Sequence, residues 1–382
     1  MAELGIIALM LFCTAIVGTL AQRFQIPAVI GQIVVGIILG PALLNIVHPN
    51  EILSFLAEIG VIILMFMAGL ESDLQLLKRY LRPSLSVAVC GVIVPMVVFV
   101  VAGKVANLTT EHAVFWGITF AATSVSITVE VLQEMKRLNG KEGTTILGAA
   151  VVDDILAVLI LSVFVTLTHD GGSGNQLPLQ WSLLIQLVYF VAVYLFVKWV
   201  APWVMRLGNR MLVNSAPTIL SIVVCLTMAY VADLVGLSAV VGAFFAGIAV
   251  GQTSVRQEIE NTVTPIGYAF FIPIFFVSIG LEMKFDGVLD QWVLILVLTI
   301  LAVVTKLYGG AIGAKLTGFS WSSGLAVGAG MISRGEMALI IAQIGLSANI
   351  LSGGQYSDLV IVIVLSTLIA PLMLKYYFRR VF

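Results

Sequence analysis

Long apolar segments recur along nearly the whole chain of 382 residues, and they constrain the fold more than any other feature of the sequence. A segment of about 20 apolar residues is long enough to cross a bilayer as a helix. Hydrophobic residues make up 60% of the sequence and charged residues 10%, and the mean hydropathy of +1.12 lies far outside the range of soluble globular proteins. The sequence therefore predicts an all-α polytopic membrane protein in a lipid bilayer. The net charge of −1 gives no indication of nucleic acid as a partner.

Apolar windows bounded by polar residues, glycine or proline divide the chain into thirteen predicted transmembrane helices. They cover residues 4–21, 27–44, 52–70, 84–105, 113–133, 145–167, 181–208, 217–235, 238–251, 262–282, 291–314, 323–347 and 357–378. An odd number of spans puts the two termini on opposite sides of the membrane. When lysines and arginines are assigned to alternating loops, fourteen fall on one side and only Lys104 and Lys284 on the other. Because basic loops stay in the cytoplasm, we predict that the N-terminus is outside and the C-terminus cytoplasmic.

An internal repeat relates the two halves of the chain at a constant offset of 211 residues. The segment Ala28–Gly40 matches Ala239–Gly251 with its three glycines aligned, and Gly69-Leu-Glu matches Gly280-Leu-Glu. Spans 1–6 are therefore predicted to repeat as spans 8–13 around a linker helix at about 181–208. Because each half has an even number of spans and one span separates them, the two six-helix repeats are predicted to be inverted, as in alternating-access transporters.

The repeat pairs the two spans that contain the least apolar central segments, Ala121–Thr128 of span 5 and Met331–Ala338 of span 12. Hydroxyl side chains can satisfy backbone groups where a helix unwinds, and unwound backbone at membrane depth is tolerated beside protein or a water-filled cavity. We therefore predict two broken helices that cross at the midplane of the membrane. The hydroxyl-bearing residues there are Thr123, Ser124, Ser126 and Thr128.

The polar residues of these two spans have simpler interpretations as well. The hydroxyl groups of span 5 could hydrogen-bond back to their own helices. In span 12, Arg334 and Glu336 lie two residues apart, and we expect them to act as structural charges. They would neutralise each other or the dipoles of the broken helices.

Two adjacent aspartates, Asp153 and Asp154, lie in the apolar run of residues 146–167. A carboxylate at that depth is costly and is retained for function by default. Adjacent residues of a helix point about 100° apart, so one carboxylate can face a cation pathway while the other pairs with a fixed partner. Lys306 is predicted at the same depth in span 11, and an ion pair between Lys306 and Asp153 would stabilise both charges. A proton and a small alkali cation would then compete for Asp154. A purely structural ion pair is the alternative, but it leaves the second aspartate unexplained.

The sequence resembles the bacterial monovalent cation/proton antiporters of the cation:proton antiporter-2 family, and the NapA-type sodium/proton antiporters in particular. The resemblance covers nearly the whole chain. It is most specific in Ala-Thr-Ser-Val-Ser-Ile-Thr at 122–128, Gly-Ala-Ala-Val-Val-Asp-Asp at 148–154, Val-Thr-Lys-Leu-Tyr-Gly-Gly at 304–310 and Ser-Arg-Gly-Glu at 333–336.

The resemblance implies a homodimer in the cell inner (plasma) membrane, formed by a single integral membrane transporter domain over residues 1–382. A core at about 84–167 and 291–382 would move like an elevator against a dimerisation part at about 1–70 and 217–282. Asp154 would be the main carrier of cation and proton, Asp153 the partner of Lys306, and Thr123, Ser124 and Thr128 further cation contacts. The resemblance also implies that Asp153 and Asp154 together bind Na⁺ as a transported metal ion.

The function implied is electrogenic exchange of Na⁺ or Li⁺ for H⁺ by a secondary transporter. The double aspartate and Lys306 favour electrogenic sodium exchange, since the related potassium efflux systems have a Gln-Asp pattern instead. Exchange of K⁺ for H⁺ stays open as an alternative. A sodium-coupled organic solute symporter with broken helices is a second alternative, and a channel or receptor is a third. We expect no enzymatic activity, no cofactor, no nucleotide and no nucleic acid.

Overall fold

The protein is described by a computed structural model that covers residues 2–24, 28–168, 179–208, 210–213, 215–283, 288–347 and 350–381. In these ranges the regular structure is entirely helical, without a β-strand. The helices are α1 (Ala2–Arg23), α2 (Ala28–Leu39), α3 (Glu51–Glu71), α4 (Leu74–Arg79), α5 (Leu81–Val105), α6 (Thr110–Ala121), α7 (Val125–Glu134), α8 (Lys141–Thr168), α9 (Leu179–Leu195), α10 (Ala201–Gly208), α11 (Ala216–Leu234), α12 (Ala239–Gly251), α13 (Arg256–Ile266), α14 (Ile272–Leu281), α15 (Val288–Leu316), α16 (Trp321–Gly330), α17 (Glu336–Ser347) and α18 (Gly353–Val381). π-Helical turns at Phe196–Val200 and Gly267–Phe271 join α9 to α10 and α13 to α14.

Nine helical segments in the described part of the chain are long and apolar enough to cross a membrane. Three further apolar helices, Ala28–Leu39, Ala239–Gly251 and Met337–Leu346, are shorter. A helix of 12 residues such as α2 rises only about 18 Å, less than the hydrocarbon thickness of about 30 Å. Each predicted span overlaps at least one helix, but the count of thirteen membrane crossings stays a prediction.

The chain divides into two compact units. Unit 1 contains Met1–Glu51, Leu76–Thr168 and Phe276–Phe382, and unit 2 contains Ile52–Gln75 and His169–Phe275. This division follows packing alone, so the predicted functional division into core, dimerisation part and linker helix stays a prediction.

In unit 1, glycines allow α15 to pack closely on α5 and α16. A Cβ atom at Gly309 would lie 2.9 Å from the carbonyl oxygen of Cys90 on α5, and one at Gly328 of α16 would overlap the carbonyl oxygen of Leu307. The Ser86 hydroxyl donates a hydrogen bond of 2.8 Å to the carbonyl oxygen of Gly313. These contacts fix α15, and with it Lys306, against α5.

In unit 2, α12 packs closely on α3 and α11. A Cβ atom at Gly247 would overlap the carbonyl oxygen of Phe66, and one at Gly242 would overlap that of Met228. Close helix contacts of this kind depend on small residues because there is little hydrophobic driving force between helices in lipid.

The repeat of the sequence is accompanied by a repeat of glycine contacts. Equivalent glycines lie 211 residues apart in the sequence. The two residues whose carbonyl oxygens they approach also lie 211 residues apart. The contact of Gly31 with Val17 is equivalent to that of Gly242 with Met228. The contact of Gly36 with Val277 is equivalent to that of Gly247 with Phe66, and the contact of Gly117 with Met96 to that of Gly328 with Leu307. The packing therefore repeats with the sequence, while the inverted orientation of the two halves stays a prediction.

Gly36 provides a test of this packing. We expect Gly36→Ala to lower the free energy of unfolding by about 1–3 kcal/mol, because the added methyl group overlaps the backbone of α14 at Val277. The measurement is thermal unfolding of the purified protein in detergent. Gly5→Ala is the matched control, since a Cβ atom at Gly5 of α1 meets no atom within 4 Å. Equal melting temperatures for the two variants would contradict the close contact.

Candidate functional site

The two adjacent aspartates lie in the interior of unit 1, on α8. Asp153 is 1% exposed and Asp154 8%. The Nζ atom of Lys306 on α15 lies 3.4 Å from Oδ2 and 3.5 Å from Oδ1 of Asp153. Lys306 is completely buried, so this ion pair is shielded from solvent and each of its members depends on the other for charge compensation.

Small residues around these charges set the distance between the helices. The Nζ atom of Lys306 would lie 3.9 Å from a Cβ atom at Gly91 of α5, which is an ordinary van der Waals contact, so the ammonium group lies next to α5. Two turns away on α5, the Ser84 hydroxyl donates to the carbonyl oxygen of Thr145 on α8 at 3.1 Å. Helix α5 therefore supports both α15 and α8, which carry the ion pair.

Two helix interruptions meet in unit 1. The first separates α6 from α7 at residues 122–124, and the second separates α16 from α17 at residues 331–335. The amide N–H of Ser124 donates to the carbonyl oxygen of Ser333 at 2.8 Å, and the hydroxyl of Ser333 donates back to the carbonyl oxygen of Ser124 at 2.5 Å. Each interruption thus satisfies backbone groups that the other leaves without a helical partner.

Thr128 and Gly335 close the contact between the two interruptions. The Thr128 hydroxyl donates to the carbonyl oxygen of Gly330 at 2.7 Å, and its oxygen lies 3.0 Å from the hydroxyl oxygen of Ser333. A Cβ atom at Gly335 would lie only 2.8 Å from the hydroxyl oxygen of Ser124. The glycine of the Ser-Arg-Gly-Glu segment is therefore required by the close approach of Ser124.

Arg334 is completely buried and binds backbone carbonyl groups of three segments. Its guanidinium donates to the carbonyl oxygen of Phe120 near the C-terminus of α6 at 2.9 and 3.3 Å. It also donates to Ile332 at 3.0 Å and to Ala302 of α15 at 2.9 Å. A cation at a helix C-terminus opposes the negative end of the helix dipole. Arg334 therefore stabilises the broken end of α6 and joins it to α15.

The Thr367 side chain of α18 stabilises the second interruption. Its hydroxyl donates to the carbonyl oxygen of Arg334 and accepts a hydrogen bond of 3.3 Å from the Arg334 amide N–H. Thr367 is completely buried, and it supplies both partners that the unwound backbone at Arg334 needs.

The four buried charges act on one another. Lys306 interacts electrostatically with Asp153, Asp154 and Arg334, and Arg334 interacts with Asp153. With all four groups ionised, two carboxylates balance two cations, so the cluster is neutral. Asp154 is the most exposed member of the four.

The structure brings most of the predicted site residues together. Asp153, Asp154, Lys306 and Arg334 form the charge cluster, and Ser124 and Thr128 lie in the contact between the interruptions. The buried hydroxyl oxygen of Thr123 makes no hydrogen bond to the described residues. Glu336 begins α17, but its side chain lies outside the described part of the structure. The transport roles of these residues stay predictions.

Sequence reasoning missed several residues that hold the site. Ser333 and Gly335 belong to the Ser-Arg-Gly-Glu segment and could have been found from the predicted crossing. Thr367 lies in an apolar span with no polar pattern around it, so the sequence carries no signal for its contact with Arg334.

The fold and the site define the class of this protein: it is a multi-pass helical membrane protein with a buried, balanced charge cluster beside two interrupted helices. A family model described as "Sodium/hydrogen exchanger, transmembrane" matches residues 7–380. The chain therefore belongs to the sodium/hydrogen exchanger family, whose members are cation/proton antiporters and not enzymes. The resemblance seen in the sequence is confirmed at this level.

Individual relatives agree with this assignment. The chain is 54% identical to a Na⁺/H⁺ antiporter of Enterococcus hirae over the full length of both chains. It is 43% identical to the Na⁺/H⁺-K⁺ antiporter GerN of Bacillus cereus, with 97% of this chain and 95% of the relative covered. The sodium proton antiporter MjNhaP1 of Methanocaldococcus jannaschii has a similar fold, with a TM-score of 0.66, 17% identity, and coverage of 97% of this chain and 95% of the other.

Arg334→Lys should destabilise the protein by about 1–3 kcal/mol, because one ammonium group cannot replace a guanidinium that binds three separate carbonyl groups. The free energy or midpoint of unfolding in detergent provides the measurement. Arg256→Lys is the control, since Arg256 is 43% exposed and lies 3.9 Å from Glu260, and exposed ion pairs contribute little. Its hydrogen bond to the backbone is a long one, at 3.5 Å to the carbonyl oxygen of Glu71. If both variants were as stable as the wild type, the bonds of Arg334 would not support the helix interruption.

Proposed function

We propose that this protein exchanges Na⁺ or Li⁺ for H⁺ across a membrane. One observation carries the proposal: Lys306 forms an ion pair with Asp153, while the adjacent carboxylate of Asp154 is the more exposed of the two. Membership of the sodium/hydrogen exchanger family and the names of the relatives from E. hirae and B. cereus support the same activity.

Competition for one carboxylate accounts for the exchange. Asp154 binds either a proton or a cation, and a small hard cation takes oxygen ligands. The hydroxyl oxygen of Thr123, which has no hydrogen-bond partner within the described structure, supplies a second oxygen in this proposal. Ser124 and Thr128 are further candidates, although the Thr128 hydroxyl also binds Gly330. Because one set of oxygens cannot hold both ions, loading of one requires release of the other.

The Lys306–Asp153 pair makes the exchange electrogenic in our proposal. A cation at Asp154 adds a positive charge to a neutral, solvent-shielded cluster. Release of a proton from Lys306 would restore neutrality, and Lys306 would take up a proton again after the cation leaves, while Asp153 stays ionised. More than one proton would then move for each cation, and the membrane voltage would drive the cycle with about 2.3 kcal/mol per charge per 100 mV.

Alternating access follows from the predicted inverted repeats. We propose that the core, at about 84–167 and 291–382, moves like an elevator against a dimerisation part at about 1–70 and 217–282 in a homodimer. The linker helix at about 181–208 would connect the two halves. The recurrence of glycine contacts at an offset of 211 residues supports two structurally equivalent halves. The fourteen-to-two bias of basic residues supports a cytoplasmic C-terminus, and a plasma-membrane location is part of the proposal.

Exchange of K⁺ for H⁺ is the second candidate, and one observation favours it. The relative GerN is named a Na⁺/H⁺-K⁺ antiporter, so a similar chain is associated with both ions. A sodium-coupled symporter of organic solutes is not favoured by these relatives, which are named antiporters.

Asp154→Asn should abolish exchange, because an amide neither carries the proton nor balances the charge of the cation. The measurement is intravesicular pH in proteoliposomes with an acidic interior, after addition of sodium, lithium or potassium outside. The wild type should collapse the gradient with sodium or lithium, and with potassium only if the second candidate holds. Asp233→Asn removes an exposed carboxylate of α11 and should behave as the wild type. Full exchange by folded Asp154→Asn would refute the proposal.

Lys306→Ala should reduce or remove net charge movement, because the ion pair loses its cation. Solid-supported membrane currents and sodium uptake, measured side by side, separate charge movement from transport. The double variant Lys306→Gln/Asp153→Asn removes both charges of the pair and keeps the cluster balanced, so it should retain sodium-driven exchange with a smaller current. Unchanged uptake and unchanged current in Lys306→Ala would exclude Lys306 as the second proton carrier.

A further inference from the structure

A second buried carboxylate, Asp358, lies apart from the charge cluster in a cavity at the beginning of α18. The cavity has a volume of about 210 Å³ and is bounded by α6, α15, α18 and the end of α5. Its polar lining consists of Trp116, Gln291, Gln355 and Asp358, and the other lining residues are aliphatic. Among the described residues, no lysine, arginine or histidine lines it.

The indole N–H of Trp116 is a polar group that the described protein does not satisfy, and Asp358 lines the same cavity without a counter-charge there. Asp358 is 6% exposed and Trp116 4%. No lysine, arginine or histidine among the described residues forms an ion pair with Asp358, and the indole N–H of Trp116 has no hydrogen-bond partner there. A buried carboxylate without a counter-charge is unfavourable, and buried polar groups are normally satisfied by protein, water or an ion. Both groups therefore point to a ligand in the cavity.

Local structure holds the Asp358 side of the cavity in place. The amide N–H of Ser352 donates to Oε1 of Gln355 at 3.0 Å, and the amide N–H of Gln355 donates to the Ser352 hydroxyl at 3.3 Å. This reciprocal cap fixes the first turn of α18. Asp358 follows Gln355 by three residues and therefore lies on the same face of the helix. On α15, Gln291 departs from helical geometry, with φ −120° and ψ 17°, at the edge of the same cavity.

We infer that the Asp358 cavity is a second binding site for a monovalent cation. Its lining offers the carboxylate of Asp358 and the side-chain amide oxygen of Gln291, which are hard oxygen ligands of the kind that alkali cations take. The amide oxygen of Gln355 already accepts the hydrogen bond from Ser352. The volume holds an ion with several of its waters, since each water occupies about 30 Å³ in the liquid. A water in the cavity would also accept the hydrogen bond of the Trp116 indole. Asp358 is the one acidic residue in the described lining of the cavity, and its single charge matches a single positive charge.

Three helices, α6, α15 and α18, contribute both to the lining of the cavity and to the surroundings of the charge cluster. Leu298, in its lining, precedes Lys306 on α15 by eight residues, or about 12 Å. Asp358 precedes Thr367 on α18 by nine residues, or about 13 Å. Trp116 lies on α6, whose far end binds Arg334. The site therefore lies on one side of the cluster and concentrates cations at that entrance. This role as an entrance rests on the proposed function, whereas the binding itself does not.

Equilibrium binding of radioactive sodium to the purified full-length protein tests the site directly. The wild type should bind two equivalents of sodium per chain, and Asp358→Asn and Asp154→Asn should each remove one of them. The double variant should bind none. Asp358→Glu keeps the charge and should restore the second equivalent, and Asp233→Asn should match the wild type. Undiminished sodium binding by Asp358→Asn would overturn the second site. The loss of all bound sodium in Asp154→Asn alone would also overturn it, while leaving the proposed function intact.

Transport from the two sides of the membrane tests the role as an entrance. In proteoliposomes of defined orientation, Asp358→Asn should raise the sodium concentration for half-maximal exchange about tenfold, or about 1.4 kcal/mol. It should do so only when sodium is supplied to the side on which α18 begins, with the maximal rate retained. Asp358→Glu should restore the wild-type concentration. An equal effect from both sides, or no effect from either, would overturn this role. If Asp154→Asn still exchanged ions, the proposed function would fail instead, independently of the binding result.

Discussion

The hydrogen-bonded contact between the two helix interruptions is the constraint on which the rest of unit 1 depends. Unwound backbone in an apolar interior is costly unless every N–H and C=O group finds a partner. Ser124 and Ser333 satisfy each other, and Thr128 adds a bond to Gly330. Arg334 and Thr367 provide for the carbonyl and amide groups that remain around the break. The two interruptions therefore bring backbone and hydroxyl groups together at one place in an otherwise apolar helix bundle.

The charge cluster follows from this arrangement. Arg334 brings a permanent positive charge close to Asp153 because its guanidinium has to reach the end of α6. Lys306 supplies a second positive charge, held against α5 by glycine contacts. Two carboxylates on α8 balance these two cations, so the buried groups compensate one another in the absence of bound ions. A cluster with one aspartate would carry excess positive charge, which gives a physical reason for the double aspartate.

The sequence was sufficient to predict the parts of the site that are costly in an apolar setting. Asp153, Asp154 and Lys306 stood out because charges within apolar spans are rare, and residues 121–128 and 331–338 stood out because hydroxyl and charged residues interrupted apolar spans. Thr367 and the Asp358 cavity could not be anticipated in the same way. A threonine or an aspartate near a span end is ordinary in sequence, and only packing reveals which backbone group or cavity it faces. The apolar run at 238–251 predicted the short helix α12 almost to the residue, whereas the run at 27–44 gave no indication that α2 ends at Leu39.

Arg334 and Lys306 have different roles in the site, and the difference follows from the chemistry of their side chains. A guanidinium is always charged and has a planar set of donors that can bind several carbonyl groups at once, whereas an ammonium is a point charge that can release its proton when buried. Arg334 is placed where charge has to persist, because the carbonyl groups of Phe120, Ile332 and Ala302 accept hydrogen bonds from its guanidinium. Within the described structure the hydrogen bonds of the Lys306 ammonium go to the Asp153 carboxylate, so loss of its proton breaks no hydrogen bond to the backbone there. The positive charge that can change is therefore separate from the positive charge that holds the fold, and ion exchange can alter the cluster without unravelling the helix crossing.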